Sequence, residues 1–314
     1  MSRAVVATDF GGPEVLELID VPDDPPGAGE IAVDVRAIGV NPVDWKRYAG
    51  FYGRDESLLP MRIGFEAAGV VSAVGDAAVG PAGPVAVGDE VILFRAPGAY
   101  ADRLVLPAAA AVPKPANVSF ELGAGLMLAG ATAIHCLVAT SAGAGDTVLV
   151  HGASGGVGLL LVEIAVGRGM RVIGTASEPN HARLRELGAE PTTYGDGLLE
   201  RVRALAPDGV DVAIDGVGTD EAMDVSLELV PDRSRVATIV AFARGVDEGI
   251  KVLGGGPGAD PGTDIRDAAR LELADLAGQG KLRVPVRTMP LSDAAGAHRT
   301  GAEGHTTGKV VLIP

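Results

Sequence analysis

Apolar and polar residues alternate along Ile31-Ala32-Val33-Asp34-Val35-Arg36-Ala37, the two-residue period of a strand with one face buried. Short stretches of this kind, cut by glycine and proline, fill residues 1 to 119, and helical periodicity is nearly absent there. The stretch 80–88, with Pro81 and Pro84, reads as a turn-rich loop before Asp89-Glu90-Val91-Ile92-Leu93 resumes as strand. From Phe120 onward the pattern changes to alternating helix and strand. Strands are expected at 147–150, 171–175, 210–215 and 235–240, the signature of a parallel sheet covered on both faces. Beyond the Gly254-Gly255-Gly256-Pro257 break, a helix is expected over 264–279 and strands over 283–288 and 309–313. The reading is an α/β chain of two domains. A β-rich domain is built from 1–119 and 258–314, and a doubly wound parallel-sheet domain from 120–257.

The most informative stretch is Thr147-Val148-Leu149-Val150-His151-Gly152-Ala153-Ser154-Gly155-Gly156-Val157-Gly158, a buried strand that turns through glycines into a helix. Glycines at 152, 155 and 158 permit a tight turn, close approach of backbone to phosphate and close packing of helix on strand, and the helix N-terminus directs free N–H groups at an anion. With 45 glycines in 314 residues, that spacing recurs by chance about once per chain, so its surroundings must decide. They do: an apolar strand precedes the turn, Gly158 to Val166 continues as an apolar helix, and Arg171-Val172-Ile173-Gly174-Thr175 supplies the second strand of a βαβ unit. The predicted ligand is a dinucleotide, with Gly152, Ser154, Gly155, Gly156, Val157 and Gly158 at its pyrophosphate.

Composition narrows the partners. Lysine and arginine total 26 against 41 acidic residues, a formal charge of −15, which argues against a nucleic-acid partner. Cys136 is the single cysteine, so one chain can form neither a disulfide nor a cysteine-built zinc site, as in a reducing cytoplasm. No basic start leads into an apolar core, and no apolar run reaches the roughly 18 residues needed to span a bilayer. A cytoplasmic protein without a membrane partner is expected.

Several separated motifs now occur in one order: Gly39-Val40-Asn41-Pro42-Val43-Asp44, Gly64-Phe65-Glu66-Ala67-Ala68-Gly69-Val70-Val71, Gly88-Asp89-Glu90-Val91, Ala129-Gly130-Ala131-Thr132-Ala133, the glycine turn, Pro290-Leu291-Ser292-Asp293-Ala294-Ala295 and Gly308-Lys309-Val310-Val311-Leu312. In these the chain resembles, nearly end to end, the zinc-independent quinone oxidoreductases of the medium-chain dehydrogenase/reductase superfamily. The resemblance implies a GroES-like catalytic domain formed by both chain ends, a Rossmann domain and a homodimer. Zinc-dependent members hold their catalytic metal with Cys, His and Cys at positions that here carry Asn41, Phe65 and Leu128. Phe and Leu have no donor atom, and a neutral amide is a poor zinc ligand. His135, His151, His181, His298 and His305 match no common metal spacing, so no metal site is expected.

Zinc stabilises the alkoxide that builds up when an isolated carbonyl is reduced. Without it the acceptor must spread its own charge, as quinones and α,β-unsaturated carbonyls do when hydride gives a phenolate or enolate that a few hydrogen-bond donors can hold. The acceptor is expected beside Asn41 and the aromatic-rich segment Trp45-Lys46-Arg47-Tyr48-Ala49-Gly50-Phe51-Tyr52, where Trp45 and Phe51 read equally as stacking platform or core. Asn41 and Tyr52 are the candidates to orient it, with Tyr48 or water as proton source. The end of the second strand carries Ala176 and Ser177 in place of the acid that accepts from an NAD ribose, which favours NADPH, with Ser177, His181, Arg183 and Tyr194 about the 2′-phosphate. The resemblance adds Thr132 near the nicotinamide, Gly216 after the fourth strand, Val240 and Phe242 after the fifth, and Lys309 in the returning tail. Two alternatives stand beside a quinone or enone reductase: an enoyl-thioester reductase, and a silent NADPH-binding sensor.

Overall fold

The computed structural model describes residues 1–304 and 307–314, and the chain divides into two compact units. The first comprises Met1–Leu128, Arg270–Gly280 and Pro285–Pro314, and the second Ala129–Ala269 and Lys281–Val284. The first boundary falls after Leu128 rather than at 119, because the Phe120–Ala124 helix packs on the strands Glu30–Gly39, Glu66–Val74 and Glu90–Phe94 and so belongs to the β-rich unit. The second falls within the Thr263–Gly278 helix, past the Gly254–Pro257 break that marked it in the sequence.

The first unit is built on two large sheets, with a two-stranded ribbon of Val79–Gly80 and Gly83–Pro84 besides. Leu16–Val21, Ser2–Ala7 and Met61–Arg62 form an antiparallel sheet of three strands. A sheet of seven runs in the order Ala111–Pro113, Glu90–Phe94, Glu66–Val74, Glu30–Gly39, Lys309–Ile313, Val286–Pro290, with Arg103–Pro107 also paired to Glu30–Gly39. The C-terminal strand lies antiparallel to Glu30–Gly39, with Val311 opposite Gly39, and the Val40 N–H donates to the Val310 carbonyl at 3.0 Å. That pairing brings Lys309 to Asn41 across nearly the whole length of the chain. One core, from Ile31, Val33, Ile38, Leu93 and Tyr100 to Leu291 and Leu312, fills the unit. The helix Pro42–Tyr48 interrupts a stretch read as strands; at seven residues it is too short to show a helical period, and its start is fixed by a capping box between Asn41 and Asp44.

The second unit is a six-stranded parallel sheet in the order Glu190–Thr192, Arg171–Thr175, Thr147–His151, Val212–Asp215, Val236–Thr238, Lys251–Val252. Counted along the chain this is 3-2-1-4-5-6, the doubly wound order whose chain reversal lies between the first and fourth strands. His151 and Asp215 stand side by side at that point, at the carboxyl ends of their strands.

Candidate active site

The Thr147–His151 strand is buried and apolar, and its last residue hands over to Gly152 at φ +76°, the left-handed region that favours glycine. The Gly152 N–H donates to Thr175 Oγ1 at 3.2 Å and the Ala153 N–H to the Thr175 carbonyl at 3.0 Å, which pins the turn to the neighbouring strand. The helix Gly156–Gly167 follows with Gly155 as its N-cap, and no side chain satisfies the first N–H groups. A Cβ at Gly158 would lie 2.2 Å from the Gly152 carbonyl oxygen, so helix and turn touch there. Gly155 differs: its φ is −74°, and a Cβ would meet nothing nearer than the Gly152 carbonyl at 3.4 Å. The chain itself does not require glycine at 155. Room on the Cβ side of Gly155, beside N–H groups that no side chain caps, is what a pyrophosphate needs, so these residues fit a dinucleotide.

Asp215 organises the opposite side of the turn. Fully buried, it accepts the Val217 and Gly218 N–H groups at 2.9 and 2.8 Å through Oδ1 and the Thr238 hydroxyl at 2.7 Å through Oδ2. Thr238 Oγ1 in turn accepts the Val240 and Ala241 N–H groups at 3.2 and 3.0 Å. One carboxylate and one hydroxyl thus shape both loops that carry Gly216 and Val240. Asp215 stood in the sequence as a strand-ending Asp-Gly, while Thr238 gave no signal. Phe242 is buried, its ring beneath Gly254 and Gly256, and Thr132 is buried on the Met127–Ala139 helix. Burial pushes His151 down to about 4, so its ring is neutral.

At the end of the second strand, Ala176 is buried, Ser177 caps a short turn and Tyr194 is exposed. The His181 ring lies with Nε2 3.1 Å from the Ala176 carbonyl, which fixes it beside the strand end. Arg183 is drawn elsewhere: its guanidinium donates to the Arg283 carbonyl and to Glu186 at 3.3 Å, so it is occupied by the chain itself.

In the β-rich unit, Asn41, Glu66 and Lys309 form a buried cluster. Asn41 Nδ2 donates to Glu66 Oε1 at 2.8 Å and to the Gly39 carbonyl at 3.5 Å, while its Oδ1 accepts from Lys309. Lys309 Nζ also donates to the Val40 carbonyl at 3.0 Å and to Glu66 Oε1 at 3.1 Å, so its three protons have three acceptors. Glu66 Oε2 accepts the Leu128 N–H at 2.8 Å. Two expected site residues lie in this cluster. Lys309, expected at the cofactor, here pairs with Glu66 and holds the Asn41 amide. Asn41, expected to donate to an acceptor, has both amide ends engaged and is 2% exposed. Glu66 was missed as a site residue because it reads as the first residue of an apolar strand.

The aromatic segment splits. Trp45 packs against the core and Tyr48 is 1% exposed, its hydroxyl 2.7 Å from His298 Nδ1, so Tyr48 is an interior residue rather than one facing an acceptor directly. Phe51 and Tyr52 are exposed, edge to face at 5.1 Å, with Lys46 Nζ 5.2 Å from the Phe51 ring centre and the Arg47 guanidinium 5.2 Å from that of Phe65. Burial against this patch raises the Tyr52 hydroxyl above its usual value, with Arg47 opposing. Among the described residues, no three of His, Cys, Asp or Glu come together as a group able to hold a metal ion; His305 lies outside those residues.

A parallel six-stranded sheet with a phosphate-ready turn, in one chain with a β-rich unit closed by both chain ends, defines a dehydrogenase-like oxidoreductase. Residues 27–116 match the alcohol dehydrogenase GroES-like domain and 187–312 the zinc-binding dehydrogenase family. The chain is 35% identical to a quinone oxidoreductase of Pseudomonas aeruginosa, with 100% of both proteins covered. It is 33% identical to a 2-haloacrylate reductase of a Burkholderia species, covering 100% of this chain and 99% of the relative. The structure of an Escherichia coli quinone oxidoreductase complexed with NADPH superimposes with a TM-score of 0.85 at 28% identity, again over 100% of both. The chain belongs to the quinone oxidoreductase family of the medium-chain dehydrogenase/reductase superfamily, and it is an oxidoreductase.

Proposed function

We propose that this enzyme is an NADPH-dependent reductase that passes hydride to quinones or other conjugated carbonyl acceptors without zinc. The observation that carries the reading is the chemistry at the three zinc-ligand positions of the metal-dependent relatives. Asn41, Phe65 and Leu128 offer one amide between them, and that amide is spent on Glu66 and Lys309. Bound NADPH supplies the hydride. The N–H groups at the start of the Gly156–Gly167 helix hold its pyrophosphate, with Ser154 alongside, and Ser177, His181 and Tyr194 surround the 2′-phosphate. Phe51 and Tyr52 offer a flat acceptor an exposed ring and a hydroxyl, and Lys46 and Arg47 favour the negative charge that develops on it. Asn41 is a positioning residue, fixing the start of the Pro42–Tyr48 helix on which this segment stands.

NADPH oxidation with a panel of quinones, enones and a 2-haloacrylate tests this. Turnover is expected to survive exhaustive chelation, and NADPH is expected to exceed NADH in kcat/KM by about tenfold or more. Activity lost on chelation and restored by zinc would overturn the metal-free reading. A 2-haloacrylate is a conjugated acid, so the similarity to its reductase favours an acceptor class wider than quinones. We assign the enzyme to the cytoplasm, as a homodimer, from its single cysteine and its family resemblance, and sizing by light scattering tests the dimer. No described helix is long and apolar enough to cross a membrane.

A further inference from the structure

Four side chains that hydride transfer does not use form a continuous hydrogen-bonded line inside the β-rich unit. Asp44, Tyr48, Tyr100 and His298 are each 1% exposed or less. The Tyr100 hydroxyl donates to Asp44 Oδ2 at 3.0 Å and lies 2.9 Å from His298 Nε2, and His298 Nδ1 lies 2.7 Å from the Tyr48 hydroxyl. With Asp44 ionised, proton counting fixes the direction: Tyr100 has one proton and gives it to Asp44, so it accepts from His298 Nε2–H, and His298 Nδ1 then accepts from Tyr48. Every donor points toward Asp44, and the line can reverse as a whole once Asp44 carries a proton.

The two ends differ. Asp44 Oδ1 is buried and, among the described residues, has no hydrogen-bond partner, an arrangement that is costly unless the atom is used. At the other end burial holds the Tyr48 hydroxyl well above its usual value, with Asp44 and the exposed Glu14 acting the same way and the exposed Arg299 opposing. Burial, with Glu66 acting the same way, pushes Asp44 up to about 7 against the Asn41 N–H, the Tyr100 hydroxyl and Lys309. Burial among Trp45, Tyr48 and Tyr100 pushes His298 down to about 4. Near neutrality the mobile proton therefore resides at the Asp44 end.

We propose that this line is a proton path that recharges Asp44 from the Tyr48 end, and that Asp44 supplies the proton taken up by the anion that hydride transfer leaves on the acceptor. The proposal rests on the hydride-transfer reading above. The acceptor gains hydride and becomes an anion while NADPH becomes NADP⁺. The Asp44 carboxyl protonates that anion, Asp44 takes the Tyr100 proton, Tyr100 takes that of His298 Nε2, His298 Nδ1 takes that of Tyr48, and Tyr48 takes one from solvent. The sum is acceptor, NADPH and one proton giving reduced acceptor and NADP⁺. Asp44, Tyr100, His298 and Tyr48 are thus proton-delivering and positioning residues.

Tyr100→Phe and Tyr48→Phe each remove one oxygen and keep the ring. With an enone as acceptor, each is expected to lower kcat by about a hundredfold while leaving NADPH binding, followed by nucleotide fluorescence, unchanged. Protonation then limits the rate, so the solvent deuterium effect should rise, the effect of 4-deuterated NADPH should fall, and the wild-type transition near pH 7 should leave the kcat profile. A structural role alone would lower the rate without exchanging one isotope effect for the other; wild-type profiles and isotope effects in both variants overturn the path. The infrared carbonyl band of a protonated carboxyl group is a readout that needs no turnover. A band titrating near pH 7, absent in Asp44→Asn and shifted in Tyr100→Phe, is expected, and no such band overturns the path. If the wild type reduces no conjugated acceptor, the acceptor reading falls and the infrared result alone decides the path.

Discussion

Lys309 shows how much a single buried charge determines. Its ammonium is 5% exposed and the Glu66 side chain is fully buried, so each compensates the other in a place where an unpaired charge is costly. Lys309→Met leaves Glu66 alone and is expected to cost about 3–5 kcal/mol in urea unfolding. Adding Glu66→Gln to that variant should restore part of the loss, because the cost lies in the stranded carboxylate. A loss of activity in Lys309→Met that exceeds the loss of folded protein would report the displaced Asn41 amide. In the sequence, Lys309 and Glu66 were legible only as members of two distant motifs. Nothing in spacing shows that residues 243 apart share one oxygen atom.

At the scale of elements, the strand–turn–helix unit separates glycines that the fold needs from one, Gly155, that the fold alone does not require. Gly158→Ala must push the helix off the turn, since the added carbon would sit 2.2 Å from the Gly152 carbonyl oxygen, and a loss of about 1–3 kcal/mol is expected. Gly155→Ala has room and an ordinary φ, so its stability should change by less than about 1 kcal/mol. Its NADPH affinity should nonetheless fall about tenfold or more, because the methyl group enters the space for the pyrophosphate. Equal affinities for wild type and Gly155→Ala would remove the phosphate from this turn. The unit was legible because buried strands and a long apolar helix leave strong periodic signals. The Pro42–Tyr48 helix was not, since seven residues give no period, and the loops after the fourth and fifth strands depend on Thr238, a strand residue like any other until Asp215 lies 2.7 Å away.

For the whole molecule, buried titratable groups set the response to pH. His298 and His151 are each pushed down to about 4, so their neutral forms stabilise the fold above about pH 6.5, and that contribution is lost as pH falls through 4. Asp44, raised to about 7, acts in the opposite sense: its contribution is full below about pH 4 and is lost as pH rises through 7. Two groups against one predict a net loss of stability on acidification from pH 6.5 to 4. His298→Gln should flatten the pH dependence of Tm over that window by the equivalent of about 1–3 kcal/mol. An unchanged slope would show that the imidazole does not titrate with unfolding.

The sequence alone determined the two-part architecture, the doubly wound sheet and the glycine turn, because hydrophobic period and glycine spacing are local properties. Tertiary structure decided which polar groups satisfy one another. Strand pairing placed Lys309 on Asn41 and Glu66, and the packing of three separate segments set His298 between Tyr48 and Tyr100 in line with Asp44. Hydrogen bonds and buried charges act over a few ångströms, and only the folded chain brings residues hundreds of positions apart within that range.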